Sequence, residues 1–287
     1  MNIIVIGGAG YIGSHIVCDL VDLGHEITVF DNLSTGFKTN IPKNANFIFG
    51  DILNVNDLSN AFKNKFDFVI HLAALKAAGE SMINPSIYSS NNIVGSINIL
   101  NEMKNANIKN IVFSSSAAIY GFPKYIPIDE KHPKIPINYY GYSKLVIENI
   151  IEWYSSLYDF NFAILRYFNA AGYDVNQRLN SIEKNPANLL PIIMEVALGK
   201  RKILEVYGNN YKTHDGTCVR DYIHVNDLSS AHLSAINYLN LNNKNIIVNL
   251  ATGTGYSILE VINQTEKIIN KKINFCFADK REGDPDI

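Results

Sequence analysis

The chain has 287 residues, of which 47% are hydrophobic and 18% charged, a composition typical of a folded globular protein rather than a disordered one. Its formal net charge is −2, which provides no basic surface for nucleic acid, and no apolar run is long enough to span a membrane. Cys18, Cys218 and Cys276 are widely spaced, which argues against a disulfide framework and against a zinc site. The N-terminal residues form a strand pattern without a secretory signal, so we expect a cytoplasmic protein.

Over the first 170 residues, short runs rich in Ile, Val and Phe alternate with longer amphipathic stretches. The predicted strands are residues 3–7, 26–31, 46–51, 66–73, 110–116 and 161–169. This alternation is typical of βαβ units and therefore of a parallel sheet. Each run is almost continuously apolar, which indicates that helices cover both faces of the sheet. The sequence thus predicts an α/β fold with a doubly wound, Rossmann-type parallel sheet.

Beyond about residue 170 this rhythm ends, and only one further strand is predicted, at residues 246–251. We expect the helical pattern at 225–239 and that strand to return to the first sheet. The predicted division is a large domain at residues 1–170, which residues 225–251 rejoin. A smaller C-terminal lobe, the substrate lobe, is predicted from residues 171–224 and 252–287.

The first predicted strand is followed by GGAGYIG, which places Gly7, Gly10 and Gly13 in the turn before a helix. Glycines let the backbone approach a diphosphate closely, and the helix N-terminus favours its negative charge. Asp31 ends the second predicted strand, eighteen residues after Gly13. A carboxylate there would bind the ribose hydroxyls and repel a 2′-phosphate. This pattern predicts an NAD site, although Asp31 by itself is also typical of a residue that caps a turn.

The segment NYYGYSK at residues 138–144 carries three tyrosines ahead of one lysine. In a helix, Tyr140 and Lys144 lie one turn apart on the same face, whereas Tyr139 and Tyr142 point elsewhere. A phenol with a pKa of about 10 needs a nearby cation to act as a base near neutral pH. Lys144 and the positive nicotinamide ring would supply that charge. We therefore predict Tyr140 as a catalytic base.

Three serines, at residues 114–116, follow the apolar run of the fifth predicted strand. Loops at the carboxyl ends of parallel strands form the ligand crevice of such folds. One of these hydroxyls is therefore expected to bond the reacting hydroxyl of a substrate. Spacing does not choose among Ser114, Ser115 and Ser116, and serines at a strand end also commonly satisfy backbone groups.

Several segments together resemble the extended short-chain dehydrogenase/reductase family, in particular its NAD-dependent epimerases and dehydratases. They are GGAGYIG (7–13), FDNLSTG (30–36), GDI (50–52), HLAALKAAGES (71–81), NN (91–92), SSSAAIYG (114–121), YGYSK (140–144), LRYFNAAG (165–172), PANLLP (186–191), DGTCVRDYIHVNDL (215–228) and KREGDPD (280–286). The resemblance covers essentially the whole chain. It implies a Rossmann domain at residues 1–170 that binds NAD and a substrate lobe that binds a UDP-sugar.

The resemblance also assigns roles to individual positions. The implied catalytic residues are Ser116, Tyr140 and Lys144. The implied NAD-binding residues are Gly7, Gly10, Tyr11, Ile12, Gly13, Asp31, Asn32, Leu33, Gly36, Asp51, Ile52, Leu72, Ala73, Ala74, Lys76, Asn91 and Phe168. The implied UDP-sugar-binding residues are Asn169, Asn188, Leu189, Tyr207, Arg220, Arg281 and Asp284. Two arginines facing a diphosphate agree with the paired donors of a guanidinium group.

The activity that the resemblance implies is interconversion of UDP-galactose and UDP-glucose, a step of galactose metabolism. The hexose is oxidised at C4′, rotates as a ketone, and is reduced on the opposite face with no net redox change. Sugar-nucleotide dehydratases carry an acidic pair where this chain has SSSA, which argues against them. A UDP-glucuronate, UDP-pentose or UDP-N-acetylhexosamine 4-epimerase is the second reading, and a non-catalytic NAD-sensing regulator is the third.

Two further expectations come from the resemblance. The family's dimers pair helices that correspond to residues 92–105 and 140–155, so a homodimer is expected here. Family members commonly continue for several dozen residues beyond KREGD, so we expect the substrate lobe to be truncated at its C-terminus. In the family, glycine commonly stands where this chain has Cys218.

Overall fold

The computed structural model describes residues 1–179, 184, 186, 188–281 and 284–287. In these residues the strands are β1 (Asn2–Ile6), β2 (Glu26–Asp31), β3 (Asn46–Phe49), β4 (Phe68–His71), β5 (Asn110–Ser116), β6 (Asn161–Tyr167), β7 (Asn169–Ala171), β8 (Leu204–Tyr207), β9 (Val219–His224), β10 (Ile246–Leu250), β11 (Gly255–Ser257) and β12 (Phe275–Ala278). The α-helices are α1 (Tyr11–Asp22), α2 (Val55–Ala61), α3 (Ala78–Ile83), α4 (Pro85–Tyr88), α5 (Gly95–Asn105), α6 (Tyr139–Tyr158), α7 (Leu189–Ala197), α8 (Val225–Asn242) and α9 (Ile258–Ile269). A π-helical turn, Ser89–Val94, joins α4 to α5. None of the described helices combines the length and apolar character needed to cross a membrane.

The large sheet has the strand order β10-β6-β5-β4-β1-β2-β3, and every neighbouring pair in it is parallel. The doubly wound parallel sheet predicted from the sequence is therefore confirmed. Alternate residues of β1 explain why its sequence is apolar throughout. Ile4 and Ile6 pack into the cluster that includes α5 and α6, whereas Ile3 and Val5 pack into the cluster that includes α1 and α8. Both faces of the strand are buried, as continuous apolar runs indicate.

Beyond residue 170 the sequence predicts only one strand, and this prediction is wrong. The structure adds β8, β9, β11 and β12 there, which form smaller sheets of their own, with β9 also paired to β7. These strands are short. The alternation of β8 (LEVY) and the apolar run of β12 (FCFA) extend over only four residues each. So short a pattern does not distinguish a strand from other structure.

The polypeptide returns to the large sheet after its excursion through β8 and β9. Strand β10 pairs in parallel with β6, with Ile246 opposite Ala163, and α8 packs beside α1 in the same apolar cluster. A separate apolar cluster lies between α7, α9 and β8, and includes Ile193, Leu204 and Ile262. These contacts place the carboxyl ends of the central strands opposite the segments that follow β7.

Candidate active site

A cavity of about 1430 Å³ opens at the carboxyl ends of β1, β2, β4, β5 and β6 and extends to β8 and β9. Most of the site residues that the sequence predicts line it, from both the nucleotide motifs and the substrate lobe. The predicted residues that do not line it are Leu33, Gly36 and Asp51. One continuous cavity thus joins the glycine-rich turn to the arginines of the C-terminal segments.

The glycine-rich turn is shaped by close backbone contacts. Gly7 has a φ of 85°, and a Cβ on it would lie 2.6 Å from the backbone nitrogen of Ala73. A Cβ on Gly13 would lie 2.3 Å from the carbonyl oxygen of Gly7. Gly10 precedes α1 without a side-chain cap, so the backbone of the first helical turn is presented to the cavity. This cradle, which side chains would fill, fits the diphosphate of NAD.

Asp31 holds the turn and also faces the cavity. Its Oδ2 accepts a hydrogen bond of 3.0 Å from the Ala9 amide, and its Oδ1 accepts one of 2.8 Å from the Leu33 amide. Burial raises the pKa of Asp31, while these two amides and the charge of Lys184 oppose the rise. Each carboxylate oxygen keeps a second lone pair for a ribose hydroxyl. The turn-capping and ribose-binding interpretations are therefore compatible.

Three predicted cofactor residues stand behind the wall of the cavity. Leu33 adopts a φ of 56° and supplies its amide to Asp31. Gly36 lies against the loop of the glycine-rich turn, because a Cβ there would be 2.4 Å from the Ala9 carbonyl oxygen. Asp51 accepts a hydrogen bond of 3.0 Å from the side chain of Asn32, which does line the cavity. These three residues therefore contact residues of the cavity wall without lining the cavity themselves.

The loop after β4 lines the middle of the cavity with Leu72, Ala73, Ala74 and Lys76. The side chain of Asn92 holds this loop, because it accepts from the Leu75 amide at 2.8 Å and donates to the Leu75 carbonyl at 3.0 Å. Other predicted cofactor residues on the cavity wall are Tyr11, Ile12, Ile52, Asn91 and Phe168. Tyr11 is fixed by its hydroxyl, which donates to the Gly172 carbonyl at 2.6 Å.

Helix α6 brings the predicted catalytic tyrosine and lysine to the same wall. Asn138 caps the helix by accepting a hydrogen bond of 2.8 Å from the Gly141 amide. Lys144 is buried, and its Nζ donates to the Ser114 carbonyl at 2.7 Å. The same Nζ lies 6.0 Å from the centroid of the Tyr140 ring. The i, i+4 spacing thus places the pair as the sequence predicts.

The other two tyrosines of the segment point away from this pair. The hydroxyl of Tyr139 lies 2.5 Å from the Ser89 hydroxyl, and Tyr142 is 48% exposed. Neither of them lines the cavity, whereas Tyr140 does. Of these three tyrosines, Tyr140 is therefore the one that can reach a ligand in the cavity.

The structure also separates the three serines. Ser114 offers its carbonyl to Lys144, and Ser115 donates its hydroxyl to Glu148 at 2.5 Å. The Ser116 hydroxyl interacts with the phenol of Tyr140 and accepts from the Ala118 amide at 3.2 Å. Ser116 is therefore the serine whose hydroxyl stands beside Tyr140.

Burial dominates the electrostatics of the pair. Desolvation lowers the pKa of Lys144 to about 7, and the negative charge of Glu148 opposes this. Desolvation raises the pKa of Tyr140, and the interaction with Ser116 opposes that. From the sequence we expect Lys144 and a bound nicotinamide to lower the pKa of Tyr140. Within the protein alone the pKa of Tyr140 is raised, because the effect of its burial outweighs that of Ser116.

At the far end of the cavity, the two predicted arginines have different surroundings. The Arg281 guanidinium stacks on the Tyr207 ring, with 3.6 Å between its Cζ and the ring centroid. Arg220 lies in β9, 3.7 Å from Asp284, and donates to the Pro285 carbonyl at 2.9 Å. Both guanidinium groups line the cavity. Guanidinium groups of this kind are suitable donors for phosphate oxygens.

The remaining predicted substrate residues line the cavity between these arginines and the catalytic residues. Asn169 donates to the Asp221 carbonyl at 2.9 Å, and Asn188 and Leu189 stand at the start of α7. Within the quoted segments 186–191 and 280–286, residues 187, 282 and 283 lie outside the described residues.

Sequence reasoning missed other residues of the site. Tyr167, Cys218 and Tyr222 also line the cavity, and burial raises the pKa of Tyr222 to about 12. Behind the wall, Glu148 and Arg166 form a buried ion pair. The sequence does show that Glu148 lies one helical turn after Lys144. Nothing in the sequence marks Arg166 of β6 as the partner of Glu148.

Comparisons with known proteins agree with this geometry. The model of the NAD dependent epimerase/dehydratase family matches residues 3–251. A UDP-glucose 4-epimerase of Lacticaseibacillus casei is 43% identical over 286 residues, which cover 99% of this chain and 86% of that protein.

Two solved structures are similar over nearly the whole chain. The UDP-glucose 4-epimerase of Brucella ovis in complex with NAD has a TM-score of 0.94 and 40% identity, and covers 99% of this chain and 87% of its own. That of Bifidobacterium longum in complex with NAD⁺ and UDP has a TM-score of 0.94 and 37% identity, with coverage of 99% and 88%.

Proposed function

This chain belongs to the NAD-dependent epimerase/dehydratase family, and on that premise we propose that it interconverts UDP-galactose and UDP-glucose with bound NAD. One observation carries the proposal. The Ser116, Tyr140 and Lys144 side chains share a single cavity with a glycine-rich diphosphate cradle at one end and two arginines at the other. A non-catalytic NAD sensor has no need of that combination.

In the proposed reaction, Tyr140 accepts the proton of the sugar 4′-hydroxyl while Ser116 hydrogen-bonds the same oxygen. Lys144 stabilises the phenolate through its charge and is itself held by the Ser114 carbonyl. NAD, when bound, supplies the hydride acceptor and afterwards the hydride donor at C4′. Because Tyr140 returns its proton when the ketone is reduced, the protein ends the cycle unchanged.

Inversion at C4′ requires the sugar to present both faces to one side of the cavity. Arg220 and Arg281 are proposed to hold the diphosphate, since guanidinium groups bind phosphate oxygens through paired donors. Asn188 and Leu189 are proposed to contact the nucleotide end. The hexose is then anchored only through its diphosphate linkage and can rotate as a ketone between the two transfers.

The first test is proton NMR of the purified protein with UDP-galactose and no added NAD. We expect UDP-glucose to appear, because the cofactor stays bound through turnover. If NAD and UDP-galactose both bind and no product forms, the same assay with UDP-glucuronate, UDP-pentoses and UDP-N-acetylhexosamines distinguishes a different 4-epimerase from a non-catalytic sensor.

We further propose a division of labour along the chain. Residues 1–170, with 225–251, bind NAD, and residues 171–224 and 252–287 bind the UDP-sugar. The pairing of β10 with β6 supports the first group, and the separate apolar cluster around Ile193 supports the second. Hydrogen exchange measured with NAD alone, and then with UDP added, should protect the two groups in that order.

We also propose that the protein is a homodimer that pairs the helices at residues 92–105 and 140–155 with their copies. Tyr142, Trp153 and Leu157 repeat along one face of α6 and are all exposed, Trp153 by 67%. Light scattering should give the mass of two chains, and Trp153→Glu should reduce it to one. A monomeric wild-type protein would exclude this arrangement.

The proposed location is the cytoplasm. The described Cys18, Cys218 and Cys276 are all free thiols, which fits a reducing compartment. Fractionation of the source cells with an antibody against the protein tests this, and recovery outside the cytoplasm would contradict it.

A further inference from the structure

A buried ion pair lies directly behind the catalytic residues and has no part in the steps described above. Arg166 of β6 meets Glu148 of α6 through two parallel hydrogen bonds, of 3.0 Å from Nε to Oε1 and 2.8 Å from Nη2 to Oε2. The two side chains are 2% and 0% exposed, respectively. Burying such a pair costs desolvation energy, so the pair by itself is weak evidence for a stabilising role.

The contacts of Glu148 connect the pair to both elements that carry catalytic side chains. Its Oε1 accepts the hydroxyl of Ser115 at 2.5 Å, and Ser115 immediately precedes Ser116 at the end of β5. On α6, Glu148 stands one turn after Lys144, whose Nζ donates to the neighbouring Ser114 carbonyl at 2.7 Å. Ser114 and Ser115 at the end of β5 are thus hydrogen-bonded to two successive turns of α6.

Arg166 extends the network on its other side. Its Nη1 donates to the hydroxyl of Tyr120 at 2.8 Å, and that hydroxyl donates to the side chain of Asn249 at 2.6 Å. Asn249 in turn donates its backbone amide to Glu130 at 2.7 Å. Tyr120 and Glu130 belong to the loop that connects Ser116 to Tyr140. The network therefore stabilises the loop between Ser116 and Tyr140, and this loop sets the distance between their hydroxyls.

We propose that Glu148 and Arg166 are positioning residues that hold Ser116 against Tyr140. Glu148 supplies a negative charge beside Lys144, and Arg166 compensates it, so that the pair adds little net charge to the wall. Among the described residues, His71 from β4, Tyr88 from α4 and Tyr167 from β6 also interact with Tyr140 or Lys144. Burial raises the pKa of Tyr88, so it stays neutral near pH 7. Burial lowers the pKa of His71 to about 3 and raises that of Tyr167, so both stay neutral near pH 7.

This inference rests on the proposed function, but its main test is independent of the substrate. Carbon-13-labelled tyrosine reports the ionisation of Tyr140 by NMR, with Tyr140→Phe identifying the signal. Glu148→Gln keeps the shape and removes the anion. We expect the pKa of Tyr140 to rise by about one unit, because the substitution weakens the hold on Ser116, whose interaction lowers that pKa, and removes the carboxylate that favours charged Lys144.

The double variant Glu148→Gln/Arg166→Gln removes both charges and weakens the same contact with Ser115, and we expect the pKa of Tyr140 to rise as in the single variant. Glu102→Gln is the matched control, since Glu102 is a buried glutamate of α5 that bonds Asn105. It should leave the titration of Tyr140 unchanged. A Glu148→Gln variant that melts at a lower temperature but titrates like the wild type would overturn the proposal.

Turnover gives the second readout. If the wild type epimerises, Glu148→Gln should lower kcat by about tenfold with little change in KM, because the loss concerns the reacting groups and not the diphosphate. Ser115→Ala removes only the tie to the strand end and is expected to lower kcat in the same way. Should Glu148→Gln fail to fold, Ser115→Ala and the double variant still decide the question. Wild-type kcat in Ser115→Ala would refute the positioning role.

These readouts separate the two proposals. A wild type that does not act on any UDP-sugar disproves the proposed function, while the titration of Tyr140 still tests the ion pair. An active wild type with unshifted variants disproves only the positioning role.

Discussion

The two ends of the cavity are built differently. At the glycine-rich end, the wall is backbone and fully buried strand, and a single added Cβ would lie within 3 Å of neighbouring backbone at Gly7, Gly13 or Gly36. At the arginine end, the strand β9 is partly exposed, and the binding groups are long side chains such as that of Arg281. We therefore call the glycine-rich end the rigid end, because its closely packed backbone has little room to move. We call the arginine end the adjustable end, because its long side chains can change conformation.

This difference matches the two ligands of the proposed reaction. A cofactor that stays bound through turnover needs a preformed, close-fitting site, since less conformational freedom is then lost on binding. A nucleotide sugar must enter, rotate and leave, and long cationic side chains can hold its diphosphate without fixing the hexose. The comparison therefore predicts that substitutions at the two ends separate cofactor retention from substrate affinity.

The largest expected effect is on turnover and comes from Tyr140, which lies where the two ends of the cavity meet. Tyr140→Phe removes the proposed base and should lower turnover of UDP-galactose by at least about a hundredfold, the usual contribution of a positioned acid or base. NAD should stay bound, because the glycine-rich end is untouched. NMR of the product and cofactor release on denaturation measure the two quantities.

Tyr139→Phe is the matched control, since the Tyr139 hydroxyl bonds Ser89 and does not reach the cavity. It should leave turnover close to that of the wild type. If Tyr140→Phe turns over normally, the base must be another group, and the assignment made from the i, i+4 spacing is wrong.

At the rigid end, Gly13→Ala should abolish NAD retention. Its Cβ would lie 2.3 Å from the Gly7 carbonyl oxygen and 2.8 Å from the Gly8 Cα, so the backbone of the cradle must shift. Gly79→Ala is the control in the same cavity, because nothing lies within 4 Å of a Cβ there. NAD content after gel filtration measures both. Equal NAD content in the two variants would show that the cradle is less rigid than its contacts indicate.

At the adjustable end, Arg220→Ala should raise the KM for UDP-galactose by about tenfold to a hundredfold, since a charge-assisted hydrogen bond contributes about 1.5–3 kcal/mol. NAD content should not change. Calorimetry with UDP and cofactor release measure the two affinities separately. A variant that loses NAD before it loses UDP would contradict the separation of the two ends.

The sheet was predictable from sequence because its strands are buried on both faces and leave continuous apolar runs, as in β1 and β5. The strands β8 and β12 have only four residues each, so the alternation of LEVY and the apolar run of FCFA are too short to identify them. The strand β10 is an intermediate case. It was predicted, since IIVNL is apolar, although it lies at the edge of the large sheet and is only partly buried.

The candidate site also has features that the sequence predicts and features that it does not. The spacing of Tyr140 and Lys144 is a local property of one helix, and in the structure the two side chains are neighbours on α6. The choice of Ser116 over Ser115 depends on which hydroxyl another element engages, and Glu148 engages that of Ser115. Glu148 and Arg166 come together across eighteen residues. No pattern within either segment encodes that contact.

The smallest expected effect concerns Asp31, which belongs to the rigid end but acts through charge. Asp31→Asn should reduce the preference for NAD over NADP by about tenfold, because it removes the carboxylate that repels a 2′-phosphate. Lys184 already lines this part of the cavity and can then attract the phosphate. Asparagine keeps one side-chain oxygen for the amides of Ala9 or Leu33, so the turn should stay folded. Equilibrium dialysis with NAD and NADP measures the ratio. If the ratio is unchanged while melting is lowered, Asp31 serves the turn alone and the ribose is read elsewhere.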